Sequence, residues 1–219
     1  MVLFMKDLFL DSFYDALNKE IQKLKRIQTL GLCCLSMSRM WAPFAHWADS
    51  NNIPHIICAG DKCSNMLWNQ VISEQIYNTQ YDLFLGYIRE IKAEVNELYD
   101  QDISIDDSPA RIYTDALSAA VCFFNPKMLL KGVKYNFIDC AEMIVGGISE
   151  YIYDEILSSN GNISEDELAI IVKNSPIWQE ECDRIKSDLA LVVSFPQNKG
   201  AMQSRRNIYR NINIFDGRL

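Results

Sequence analysis

"FLGYIREIKAEVNELYDQDISIDDSPARIYTDALSAAVCFF", residues 84–124, contains the periodicity that decides the fold. Phe84, Ile88, Ile91, Val95 and Leu98 are spaced alternately by four and three residues, and Ile112, Ala116, Ala119 and Phe123 continue in the same way. That spacing places each set on one face of a helix. The two stripes are separated by an aspartate-rich stretch that ends at Ser108-Pro109, an N-cap residue followed by proline in the first helical position.

The aspartate-rich stretch invites a calcium reading. With Asp100 as the first position, an EF-hand would draw oxygens from Asp100, Asp102, Ser104, Asp106 and Ser108. It would also require glycine at the sixth position and a bidentate glutamate at the twelfth. Those positions hold Ile105 and Arg111, so the loop is not expected to bind calcium.

The same periodicity recurs along the chain. Leu10, Tyr14, Leu17, Ile21 and Leu24 form one stripe; Phe137, Ala141, Ile144, Ile148, Tyr151 and Ile152 form another. Trp178, Cys182, Ile185, Leu189 and Val192 form a third, and no segment sustains strand alternation. Further starts are marked by Asn125-Pro126, by Ser175-Pro176 and by a capping box of Ser164 and Glu167. The sequence therefore predicts an all-α, single-domain bundle of about eight helices, near 6–28, 29–50, 62–78, 80–100, 109–124, 126–157, 164–174 and 176–194. The span 126–157 is expected to be the long central helix, about 48 Å if straight. Gly146-Gly147 within it suggests close packing against another helix or a bend.

A chain of 219 residues suits one domain, and 49% apolar with 23% charged residues is globular composition. No apolar run approaches the ~20 residues that span a bilayer. Lys6, Asp7 and Asp11 interrupt the apolar start, which makes a poor signal peptide. A cytoplasmic location, without membrane association, is the expectation. Seven cysteines, an odd number with Cys33 and Cys34 adjacent, fit buried thiols better than disulfides. His55, Cys58 and Cys63 have no second pair of ligands to complete a zinc site, so no metal or other cofactor is expected.

The net charge is −8, unevenly distributed. From Pro196 onward Lys199, Arg205, Arg206, Arg210 and Arg218 face only Asp216, a balance of +4 that leaves −12 on residues 1–195. Residues 1–195 are read as the helical domain and 196–219 as a basic C-terminal tail, packed on it or extending from it. Residues 90–107 hold seven acids against Lys92. Such a body repels nucleic acid and attracts a basic protein. Glu94, Glu97, Asp100, Asp102, Asp106 and Asp107 are the candidate partner-binding residues. The oligomeric state is not legible.

Catalytic signals are sparse. Arg39, His46 and Asp49, among Trp41, Phe44 and Trp47, could do acid–base work in a helical cleft. Without a nucleophile or oxyanion hole the segment reads better as structure, and Pro43 is expected to kink or restart the helix. Glu180 and Glu181 read as a solvated helix face.

The order of elements carries a resemblance. An opening helix leads into "CCLSMSRMWAPF" (33–44), followed by "SNMLWNQVI" (64–72), the acidic loop, "YTDALSAAVCFF" (113–124), "SEDELAIIVKNSPIWQEECDRI" (164–185) and "NIYRNINIF" (207–215). This layout resembles the helical family of unknown function typified by YjaG, departing from it by an extra residue between Trp41 and Phe44 and by the basic tail. The family has no established catalytic residues to carry over. By class the chain also resembles immunity proteins of contact-dependent inhibition and polymorphic-toxin systems. That resemblance implies a non-enzymatic protein that binds a cognate toxin domain, often a basic nuclease, and occludes its active site. The alternatives are a housekeeping helical protein and a hydrolase-like enzyme built on Arg39, His46 and Asp49.

Overall fold

The computed structural model describes residues 10–99, 109–125, 136–159 and 163–215, and these contain ten α-helices, two 3-10 turns and no strand. The central element is a short helix, α2 (Arg26–Arg39), in which every residue from Gln28 to Arg39 is buried. Its sequence explains that position: Leu30, Leu32, Cys33, Leu35 and Met37 point around the whole circumference. Two of its polar side chains bond to the backbone one turn back, Ser38 Oγ donating to the Cys34 carbonyl at 2.6 Å and Thr29 Oγ1 to that of Lys25 at 3.2 Å.

Around α2 pack α3 (Trp41–Ser50), α4 (His55–Ser73), α6 (Pro109–Val121), α7 (Asn136–Ser159), α9 (Pro176–Val193) and α10 (Lys199–Tyr209). Outside them, α1 (Leu10–Ile21) lies on α7, α5 (Tyr81–Tyr99) on α4 and α6, and α8 (Glu165–Asn174) on α7 and α9. Phe84, Ile88, Ile91 and Val95 are buried as their spacing requires, and so are Ile112 and Ala116. The capping box is present: Glu167 N–H donates to Ser164 Oγ at 3.3 Å, and Ser164 N–H to Glu167 Oε2 at 3.2 Å.

The helix count of eight is too low, for local reasons. The expected helix 29–50 breaks at Met40, because Pro43 has no N–H to give the Arg39 carbonyl. The start of α4 lies seven residues before the expected position 62, behind Pro54. Residues 199–209, expected as part of a tail, are helical and pack against α2. The long helix is also not central. Its described part, α7, has 24 residues and flanks α2; residues 126–135 lie outside the described residues.

Gly147 is the reason α6 and α7 approach so closely. A Cβ there would sit 2.4 Å from Ile112 Cγ1, whereas one at Gly146 would meet nothing within 4 Å. Gly147→Ala is therefore expected to cost about 1–3 kcal/mol by overpacking. Gly146→Ala should gain up to ~1 kcal/mol of helix propensity. Urea unfolding of the two variants reads the opposite signs directly.

Candidate functional site

Arg39, the last residue of α2, has a fully buried side chain. A buried guanidinium has to be paired. Its Nε and Nη2 reach Glu181 Oε1 at 2.7 Å, and Nη1 reaches Asp188 Oδ2 at 2.5 Å. Nη2 also donates to Ser36 Oγ at 3.1 Å. Both carboxylates belong to α9, seven residues and two turns apart, so they share the face that meets α2. Burial works to lower the Arg39 pKa, but the charges of Glu181 and Asp188 outweigh it and hold it above its ordinary value.

The C-terminal helix completes this cluster. Tyr209 donates to Asp188 Oδ1 at 2.9 Å and lays its ring 5.1 Å from the Arg39 Cζ. Arg205 Nη1 donates to Asp188 Oδ1 at 3.2 Å and to Ser187 Oγ at 2.9 Å. Burial, with Asp188 next in weight, raises the Tyr209 pKa, so the phenol keeps its proton at neutral pH.

A second polar cluster joins α10 to α4. Arg206 donates to Asn65 Oδ1 at 2.7 Å and Ser64 Oγ at 3.4 Å, with its Cζ 5.2 Å from the Trp68 ring. Arg210 reaches Asp61 Oδ1 and Ser64 Oγ, and its Cζ stands 3.9 Å over Trp41. Trp68 Nε1 donates to Gln203 Oε1. At the start of α10, Lys199 pairs with Glu74 at 2.5 Å. Three of the four described cations of the expected tail thus meet carboxylates of the body, and Arg206 is held by neutral oxygens and an aromatic face. Arg218 lies outside the described residues.

The carboxylates singled out in the sequence fare differently. Glu97 is exposed on α5, while Glu94 is half-buried with its Oε1 3.1 Å from Nε2 of His55, at the start of α4. Asp100, Asp102, Asp106 and Asp107 lie outside the described residues. Glu180 faces solvent in part, but Glu181, expected on the same solvated face, is fully buried. The surface reading fails there because Arg39 supplies a buried countercharge from a distant part of the chain.

Arg39, His46 and Asp49 are not assembled into one site: Arg39 is sealed in the core, and His46 and Asp49 are exposed on α3. His55 and Cys58 are likewise exposed, whereas Cys63 is buried. Among the described residues no three His, Cys, Asp or Glu side chains gather to hold a metal ion. Burial pushes the Cys34 and Cys182 thiols up to about 12 and raises that of Cys63 as well, so all three stay protonated at neutral pH. Among the described residues no helix is long and apolar enough to cross a membrane.

Sequence reasoning missed Glu181, Asp188, Arg205, Arg206 and Arg210 as structural charges, and Tyr209 as the neutral donor among them. One signal was available. Glu181 and Asp188 fall among Trp178, Cys182, Ile185 and Val192, on the apolar face of their own helix.

Comparison of the chain with protein-family models, with curated proteins and with solved structures gave no match.

Proposed function

We propose that the protein is an immunity-type binder, not an enzyme, that neutralises a basic toxin domain through the outer face of α5 and the aspartate-rich segment following it. The observation that supports this reading is the exposed set on α5. Asp82, Glu90 and Glu97 face solvent, and Arg89 is the one exposed cation among the described residues of that helix. Lys92 is turned toward Asp115 at 2.9 Å. Lys199, Arg205 and Arg210 of the C-terminal segment pair with carboxylates of the body. A negative face of this kind accelerates encounter with a cationic groove and rejects nucleic acid.

The sharpest test measures association with a basic toxin domain whose toxicity this chain suppresses. Replacing Glu97, Asp100, Asp102, Asp106 and Asp107 by lysine is expected to slow association about tenfold or more at low salt and to flatten its salt dependence. Far-ultraviolet circular dichroism should be unchanged, since the one described residue among the five, Glu97, is exposed. Unaltered association with unaltered salt dependence would reduce these carboxylates to a solvated surface.

A further inference from the structure

The manner in which α10 is fastened differs from that of every helix around α2. Of its eleven residues, only Met202, Arg206 and Tyr209 are buried, and one of those is an arginine. Its remaining anchors are polar and recur at every turn: Lys199 on Glu74, Gln203 on Trp68, Arg205 on Asp188, Arg206 on Ser64 and Asn65, Arg210 on Asp61. Its own helical tendency is weak. Asn198, the N-cap residue, makes no side-chain cap bond, and Gly200 sits in the first turn with open space around it. A helix of this length is marginal in water without its docking contacts.

Three carboxylates receive its cations, Asp61, Glu74 and Asp188, while the neighbouring Glu181 is balanced by Arg39 and Arg184 by Glu180. The groove alone therefore carries −3. Lys199, Arg205, Arg206 and Arg210 bring +4, so the closed arrangement carries +1.

We propose that α10 is a releasable strap: it opens from an acidic groove formed by α2, α4 and α9 while those helices stay folded, and in closing it occupies that groove as an internal basic ligand. Regions with few buried apolar contacts and many polar fastenings open below the free energy of global unfolding. Lys199–Glu74 is open to solvent on both sides, at 36% and 45% exposed, and Arg210–Asp61 on the side of Asp61, 42% exposed against 16% for Arg210. These are the pairs salt weakens, whereas the sealed contacts of Arg39 are screened far less. Opening would turn a neutralised surface into one suited to an arginine-bearing helix, independently of the partner assigned to α5.

Hydrogen exchange on the full chain tests this by mass spectrometry, at low salt and at about 1 M salt, where the Debye length is ~3 Å. Peptides covering residues 199–209 are expected to exchange roughly threefold to tenfold faster at high salt, the range implied by weakening two ion pairs that reach solvent. Peptides from α2 and α7 should not change. Combining Lys199→Gln with Arg210→Gln should reproduce the acceleration at low salt and leave little further salt response. The proposal is overturned if residues 199–209 show the protection of α2 at both salt concentrations. It is equally overturned if the double variant lowers the protection of α2 together with that of α10, or fails to fold, because α10 would then be an inseparable part of the core.

Discussion

Arg39→Met is expected to destabilise the protein by about 3–5 kcal/mol, the loss that follows when one partner of a buried ion cluster is removed. Methionine fills much of the same volume, so little of this loss comes from a cavity. The loss comes from the two carboxylates left behind. Glu181 is fully buried, and after the substitution its nearest cation is Arg184, whose Nη1 is 3.8 Å from Oε2. Asp188 keeps Arg205 and Tyr209, so it is the less damaged of the two. That asymmetry gives the substitution an internal control. Adding Glu181→Met to Arg39→Met removes the stranded charge and should recover more than half of the loss, because an apolar replacement of a buried pair is often near neutral. Urea unfolding midpoints of the single and double variants measure both quantities. A double variant no more stable than Arg39→Met would show that the arginine acts through packing against Tyr209 and not through its charge.

The parts of the fold that were legible in the sequence are those where one helix carries its own apolar stripe. The residues 84–95 and 112–121 reveal themselves because burial there is decided by local spacing, and Ser164 with Glu167 because a cap is satisfied within three residues. The illegible parts are those where burial depends on a partner far along the chain. On its inner face α10 shows Met202, Arg206 and Tyr209, with too little apolar character for periodicity to register. Its arginines read as a tail until Asp61, Asp188 and Trp68 are seen to receive them. Glu181 misleads for the converse reason: next to Glu180 and near Arg184 it looks like an exposed charge, and only the end of α2, 142 residues earlier, makes it internal. The acidic face of α5 is legible by charge alone, yet the engagement of Glu94 by His55 is not, since it depends on how α4 and α5 lie together.

Phe44→Ala should cost about 3–5 kcal/mol, as large-to-small changes of buried aromatic residues do, and should exceed the cost of Trp41→Ala despite the larger tryptophan side chain. Phe44 is fully buried and stacks on Tyr113 with ring centroids 4.4 Å apart and planes inclined by 16°. Opposite it stands Gly60, where a Cβ would come within 2.8 Å of Phe44 Cε1, so the ring occupies a notch that exists because the residue there has no side chain. When the ring is deleted, Gly60 has nothing to move into the space. Tyr113 is held in place by donating to the Gly60 carbonyl at 3.2 Å. A cavity whose walls cannot collapse lies at the upper end of the cavity penalty. Trp41 is half-buried, packs at an angle 5.9 Å from Tyr113, and carries the Arg210 guanidinium on its outer face. Its removal costs one cation–π contact, worth about 0.5–2 kcal/mol, besides the lost apolar burial. Chemical denaturation of the two alanine variants orders them, and a larger loss for Trp41→Ala would mean that the lid of the aromatic cluster matters more than the ring locked beneath it.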